Sequence, residues 1–418
     1  MTEAARQATG PPAATEPAAP TLFTPLRISN FRNLWLGHGI SLIGDQFKFV
    51  ALSWLVLSLT GRSGALGTVL MLQAIPRSIL MLAGGVVTDR FHPRSVMLLS
   101  DLFRALVVGT IAVLAWTQRI TMPHVYALAL LFGTVHAFFF PAQSAMIPEL
   151  VPPGVLRQAN AINQLTTQVV IAGAPALAGF LIAGVGVAAA FGVDATSFLI
   201  SAAFLFLIRP PARHSDTRTH PWMQFVEGLR YVRGDAVTLT TVIVASLLFF
   251  GYSGATFVGL PVLAKGPLAA GPVGLGALFS ASGAGALVGG VIGGMRAVGR
   301  RGLTGNVIII AMGILLGGVS LAPTLGTAAV LLFLSGALMS WLGITFMTLL
   351  QLRTERSYMG RVMAIMLFGI YGLYPFSYGL AGWVSEAIGV RALFVAGGGM
   401  IVAAGVLGLA SRAMRQLD

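Results

Sequence analysis

Apolar runs of about 20 residues, long enough to cross the hydrocarbon core of a bilayer as helix, recur along nearly the whole chain. Between charged or Pro/Gly-rich breaks they predict twelve helical spans, at 33–59, 64–88, 95–117, 122–147, 158–184, 187–208, 237–262, 271–295, 303–322, 326–350, 361–385 and 391–411. The longest polar break, 209–236, divides them six and six. The expected architecture is an all-α membrane protein of twelve transmembrane helices in two pseudo-symmetric six-helix bundles, 25–208 and 237–411. Residues 1–24 are rich in Ala, Pro and Thr and read as a disordered tail, and 412–418 as a second short tail. The first apolar segment is too long for the apolar region of a signal peptide and reads as the first span. Within the central break, Trp222, Phe225, Val226, Leu229 and Val232 recur at helical spacing with Glu227, Arg230 and Arg233 on other faces. That pattern predicts a short amphipathic helix on the membrane surface, acting as a tether or as part of a gate.

Composition agrees. Of 418 residues, 56% are hydrophobic and 9% charged, against about 25% charged in an ordinary soluble domain. The lipid bilayer is therefore the solvent for most of the fold. With no cysteine, disulfides, thiolate metal sites and cysteine nucleophiles are excluded. A net charge of +13 raises nucleic acid as a partner, but the distribution of the charge argues otherwise. If the N-terminus is cytoplasmic, 19 of the 26 Lys and Arg residues fall in seven short inside segments, 4 in outside segments and three within spans. Arginine-rich loops are retained on the cytoplasmic side, which places both termini in the cytoplasm and leaves no basic domain for nucleic acid.

The two halves repeat one another. Arg157-Gln-Ala-Asn-Ala-Ile opens the fifth span and Arg361-Val-Met-Ala-Ile the eleventh; Pro175 with Gly179 matches Pro375 with Gly379 as helix-packing positions; Ala65-Leu66-Gly67 matches Gly274-Leu275-Gly276. Internal repeats of this kind let a carrier build a central site between two halves that rock. In the eighth span, Gly285, Gly289 and Gly293 stand at four-residue spacing, which permits close helix contact.

Between the second and third spans, Gly85, Asp89, Arg90 and Arg94 stand in the order Gly-x-x-x-Asp-Arg-x-x-x-Arg. This loop resembles the signature loop of the major facilitator superfamily, where an acid at a helix end accepts hydrogen bonds from a neighbouring helix N-terminus and latches the halves. Further segments resemble the branch containing macrolide efflux proteins and the enterobactin exporter. They are Asn30-Phe31-Arg32, Ser41-Leu42-Ile43-Gly44-Asp45, Thr60-Gly61, Pro76-Arg77, Phe140-Pro141-Ala142-Gln143-Ser144-Ala145, Ile147-Pro148-Glu149-Leu150-Val151-Pro152, Ala159-Asn160-Ala161 and Gly360-Arg361-Val362. The chain departs from the superfamily pattern in three places. His92 and Pro93 occupy signature-loop positions usually held by Gly and a basic residue; His136 replaces the arginine many proton-driven exporters carry in the fourth span; and Gly173 to Gly179 only approximates the antiporter motif of the fifth.

Ionisable residues inside spans are costly and mark functional sites by default. Here they are Asp45, Lys48, Arg77, Asp101, Arg104, His136 and Asp194, all in the first half. Asp45 lies about 18 Å along its helix, near the midplane, with Lys48 one turn on and Arg77 at similar depth on the next helix. Asp45, Lys48, Arg77 and His136 are the candidates for proton coupling or substrate contact, the alternative being a structural ion pair between spans one and two. Asp101 and Arg104 lie nearer the cytoplasmic end and group with Gly85, Asp89, Arg90 and Arg94 as a candidate gate. Asp194, Tyr252, Tyr371 and Tyr374 are candidate cavity-wall residues, alongside Phe257, Trp341, Phe346, Phe376 and Tyr378; aromatics also serve as packing or interface anchors.

No nucleophile and base pair, metal cluster or Walker phosphate loop occurs in the sequence, so it predicts neither an enzyme nor a cofactor. The resemblance implies a secondary transporter that exports an amphipathic organic solute, drug or siderophore-like, from a bacterium by alternating access. The proton gradient would be its energy source, the inner (plasma) membrane its location and a monomer its state. A lysophospholipid flippase or uptake carrier of the same fold, and a non-transporting receptor or scaffold, are the alternatives.

Overall fold

The computed structural model describes residues 21–209, 221–295, 301–355 and 358–412. The first half comprises α1 (Ser29–Thr60), α2 (Ser63–Arg90), α3 (Pro93–Trp116), α4 (Met122–Leu150), α5 (Leu156–Gly184) and α6 (Val187–Leu207). After the linker helix α7 (Pro221–Gly234), the second half comprises α8 (Ala236–Gly254), α9 (Leu260–Lys265), α10 (Gly271–Met295), α11 (Arg301–Gly318), α12 (Leu325–Arg353), α13 (Met359–Tyr371), α14 (Tyr374–Ile388) and α15 (Val390–Ala410). A π-helical turn, Ala255–Gly259, joins α8 to α9, so that the two form one span.

Among the described residues, eleven helical stretches are long and apolar enough to cross a membrane. The second predicted span, α2, is the one outside these eleven; it runs unbroken over 28 residues and carries Gln73, Pro76 and Arg77 at its middle. Large apolar side chains such as Leu99, Val113, Leu177, Phe180 and Phe206 stay exposed, as expected where lipid replaces water around the bundle.

The same packing pairs occur in both halves. In the first, α1 and α3 pack on α6, and α2 on α4; in the second, α8 and α11 pack on α15, and α10 on α12. The halves meet along two seams, α5 on α10 and α2 on α14. These seams are built from the positions that repeat in the sequence. A Cβ at Gly276 of α10 would overlap the Pro175 carbonyl of α5, and one at Gly67 of α2 would come within 2.5 Å of the Tyr378 carbonyl of α14. With no hydrophobic drive between helices in lipid, such backbone proximity supplies the packing.

Each seam also carries a proline, and each proline region finds a serine on the opposite half. Pro375 has no N–H, so the Tyr371 carbonyl loses its usual helical donor. The Ser78 hydroxyl of α2 donates to that carbonyl at 2.8 Å. Beside Pro175, the Ala176 N–H donates to the Ser280 hydroxyl of α10 at 3.0 Å. Freed backbone groups within lipid must be satisfied, and at the Tyr371 carbonyl the other half does so. The eleventh predicted span, 361–385, is accordingly two helices, α13 and α14, with the break at Gly372 and Leu373.

At the face where α1 ends, the halves are tied by polar contacts. Arg62 pairs with Glu386 at 2.7 Å, the Gly64 N–H donates to Glu386 Oε2 at 2.9 Å, and Lys265 Nζ donates to Ser58 at 3.3 Å. At the opposite face α7 docks on the second half. Val232 is buried against Leu350, Val362 and Ile365, Glu227 pairs with Arg361 at 3.2 Å, and Tyr231 stacks on Tyr358. The predicted amphipathic helix therefore exists, and its Val232 edge is covered by protein rather than presented to a membrane surface. The side chains of Trp222 and Phe225 lie outside the described residues. A 3-10 turn at Thr24–Arg27 buries Pro25, and residues 1–20 of the predicted tail and 413–418 lie outside the described residues.

Candidate functional site

Two sites emerge at the middle of the bundle, one of charges inside the first half and one of aromatic rings between the halves. The charge cluster is built on α1, α3, α4 and α6. Lys48 Nζ donates to Asp45 Oδ1 at 2.6 Å, one turn along α1, and stands 3.4 Å over the Phe132 ring of α4. From α3, Arg104 reaches Asp45 Oδ2 at 3.9 Å, pairs with Asp101, and directs Nη1 to His136 Nδ1 of α4 at 3.4 Å. Its guanidinium lies between Phe139 at 4.1 Å and Phe198 at 4.3 Å. Cation-π contact from both sides offsets part of the cost of burying a charge that is 1% exposed.

Asp194 of α6 completes the cluster. It is fully buried, and neither carboxylate oxygen has a hydrogen-bond donor among the described residues. The Ser197 hydroxyl donates instead to the Asp194 backbone carbonyl at 2.7 Å. A Cβ at Gly44 would come within 2.6 Å of Asp194 Oδ1, so the carboxyl packs directly against the residue preceding Asp45.

Several sequence expectations change here. Arg104 and Asp101 do not group with the signature loop; α3 carries them to Asp45, because their side chains face α1, α4 and α6 rather than the loop. Arg77 does not join Asp45. It has no carboxylate within ion-pair distance among the described residues and lies 5.3 Å over the Tyr371 ring. Asp194 belongs to the charge cluster rather than to a cavity wall, and Tyr252 is turned to Ser282 within the second half at 3.3 Å. Arg94 does not latch the two halves: its Nε and Nη2 donate to the carbonyls of Leu205 and Phe206 at 2.8 and 2.7 Å, completing the C-terminus of α6 in its own half. Arg90 is exposed, and the side chains of Gly85 and Asp89 lie outside the described residues. Pro175, Gly179, Pro375 and Gly379 all lie on the seams, Gly179 against Pro272 and Gly379 against Met71. Sequence reasoning missed His38, which stacks on Phe139 at 6.2 Å beside the cluster. It stands seven residues before Asp45 and hence on the same helix face, a signal present in the sequence.

The second site is a cavity of about 200 Å³ at the α2/α14 seam. The first half lines it with Phe49, Gln73, Arg77 and Ser78. Phe257, from the π-helical turn, and Tyr371, Tyr374 and Tyr378 line it from the second. The rings form a chain across the halves: Phe49 to Phe257 at 5.3 Å, Phe257 to Tyr378 at 6.0 Å, Tyr378 to Tyr374 at 5.7 Å and Tyr374 to Tyr371 at 5.3 Å. Tyr371 and Tyr374 flank the break between α13 and α14, and both line the cavity.

A two-half bundle with mirrored packing and intramembrane sites defines a transporter of the major facilitator superfamily. The chain belongs to the family described as transmembrane secretion effector, which matches residues 20–418. It is 26% identical to the multidrug efflux pump Tap of Mycobacterium tuberculosis over 90% of this chain and 91% of that one. It is 22% identical to macrolide efflux protein A of Streptococcus pyogenes, covering 93% and 97%. The fold matches a bacterial homologue of the iron transporter ferroportin in its inward-facing state, with a TM-score of 0.72, 15% identity, and 92% and 98% of the two chains covered. A bacterial homologue of the lysosomal transporter Spinster, inward-facing and occupied, aligns with a TM-score of 0.70, 14% identity, and 94% and 96% covered. Membership in a transporter family sets aside both the enzyme and the receptor or scaffold readings.

Proposed function

We propose that this transporter exports an amphipathic organic solute from a bacterial cell by proton-coupled alternating access. The observation that carries the reading is the charge balance of the first-half cluster. Asp45, Asp101 and Asp194 face two permanent cations, Lys48 and Arg104, with the His136 ring among them. Its three carboxylates outnumber by one the two cations that pair within it, Arg77 of the neighbouring α2 lining the adjacent cavity instead, and an incompletely compensated charge within a bilayer is expensive. A bound proton supplies the missing charge, and its release leaves a state whose cost can drive rearrangement of the halves.

Export is supported by the relatives named for drug and macrolide efflux. Arginine-rich segments favour cytoplasmic termini in the plasma membrane, which makes the face joined by Arg62 and Glu386 the external one. The halves work as one monomer in this reading, with the proton gradient as energy source and no cofactor. Reconstituted protein should move a solute from a panel of macrolides, tetracyclines and siderophores across liposomes when a pH gradient is imposed, and stop when a protonophore collapses it. Solute movement indifferent to the gradient would remove the coupling claim, and no movement across the panel would remove export of this class.

A second reading, lysophospholipid flipping, has one observation in its favour. A groove of about 470 Å³ runs between α1 and α6, lined by Ile40, Ile43, Val193 and Ile200 beside Thr196 and Ser197. Including fluorescent lysolipids in the same panel separates the two readings.

A further inference from the structure

Arg77 is a cation in the middle of a membrane-spanning helix with no carboxylate in reach among the described residues, and it lines a cavity whose other walls are aromatic rings, hydroxyls, the Gln73 amide and the aliphatic Leu70 and Ala74. Charges in that position are retained for function, because an unpartnered one costs several kcal/mol relative to its hydrated state. The contrast with Lys48 and Arg104 is direct, since both of those are paired with aspartates. What Arg77 lacks among the described residues is an anion. The guanidinium offers a planar fork of donors suited to an oxyanion, the Gln73 amide adds further donors, and the three tyrosines carry hydroxyl donors. Beyond the cation the walls are Phe49 and Phe257, which suit an apolar or aromatic body. At about 200 Å³ the cavity accommodates a one- or two-ring group with its charged end rather than a whole drug-sized molecule.

We propose that the Arg77 cavity is the seat for the anionic end, a carboxylate or comparable oxyanion on an aromatic body, of the solute this transporter carries. The proposal rests on the transport reading and adds a substrate class to it. The position of the cavity gives binding a consequence. Ser78, the next residue, holds the Tyr371 carbonyl exposed by Pro375, and Tyr371 is itself the ring beneath Arg77. An anion that takes Arg77 from Tyr371 therefore acts at the hydrogen bond joining α2 to the broken span of the other half. A solute seated there touches both halves and is placed where their relative movement would open or close the cavity.

The test compares 2-naphthoate with its neutral isostere 2-naphthamide, binding to the purified full chain in lipid nanodiscs by calorimetry. The wild type should bind the acid about tenfold tighter than the amide, the size of one charge-assisted contact. Arg77→Gln should bring the two ligands level, and Arg77→Lys should keep part of the preference. Tyr371→Phe should weaken both ligands together and leave their ratio intact. Equal binding of acid and amide by the wild type overturns the proposal without recourse to any variant, and so does a ratio that Arg77→Gln leaves unchanged. An Arg77-dependent ratio in protein that shows no flux across liposomes upholds the anion site and overturns the transport reading instead.

Discussion

The first half buries Lys48, Asp101, Arg104 and Asp194 within its spans, whereas the buried polar residues of the second half are hydroxyls and one amide, from Thr238 through Asn306 to Ser385. Both halves repeat the same helix pairs, so the difference is not one of fold. It lies in what the shared frame is asked to hold. A hydroxyl in a membrane helix can satisfy itself on its own backbone, as Thr241 does on Val237 at 2.8 Å. A charge cannot, and needs partners on other helices. The first half therefore depends on a specific arrangement of α1, α3, α4 and α6, while the second presents rings and small residues. The charge cluster and the ring-lined cavity are thus distinct, and Arg77 brings a charge to the second of them.

The sharpest way to break this comparison is to remove a cation from the cluster. Arg104→Ala leaves Asp101 and part of Asp45 without a counter-charge and should cost about 3–5 kcal/mol of stability, read as thermal unfolding in detergent. Its second-half counterpart is Ser335→Ala, which removes a buried hydroxyl that has no partner among the described residues and should be neutral or slightly stabilising. A smaller effect is expected at the seam. Gly276→Val drives a side chain into the Pro175 carbonyl and should cost about 1–3 kcal/mol while shifting the halves apart, visible between spin labels on α5 and α10. Ser78→Ala leaves the Tyr371 carbonyl unmet and should cost about 1–3 kcal/mol at most, less if water enters the break.

The smallest effect belongs to Asp235, outside the membrane at the start of α8. Partial burial pushes its carboxyl up, but hydrogen bonds from Arg353 and Thr238 outweigh this and hold it below the ordinary carboxylate range. A carboxyl lowered on folding stabilises the native state above its unfolded value, about 3.9, and loses that contribution as pH falls through the lower folded value. Asp235→Asn should therefore reduce the acid sensitivity of unfolding below about pH 4, and change little at neutral pH beyond the lost ion pair.

Much of the frame was legible because lipid imposes it. Apolar run length gave the spans, and the repeated Pro175/Gly179 and Pro375/Gly379 pairs marked the helices that form the seams. The break in the eleventh span was foreshadowed by Pro375, but its location depends on Ser78 meeting the freed carbonyl from another helix. The candidate site was legible as a set of residues and misread as a set of partners. Asp101 and Arg104 sit close in sequence to the signature loop, yet a helix face, not sequence distance, decides what a side chain meets. Arg77 and Asp45 share a depth but not a direction, and Arg77 points across the seam to Tyr371. The cage around the two cations takes Phe132 and Phe139 from one face of α4, seven residues apart, but Phe198 from α6, and only the packing of the two helices brings them together.

The central claim is that the first-half cluster carries the coupling proton. It is tested most directly by following solute and proton movement together in the same liposomes, with a pH indicator enclosed, for wild type, Asp45→Asn and Asp194→Asn. The account predicts that wild type moves protons against the solute and that both variants lose this counterflow, any residual solute movement running down its own gradient with the enclosed pH unchanged. Proton counterflow that persists at wild-type rate in both variants would contradict it.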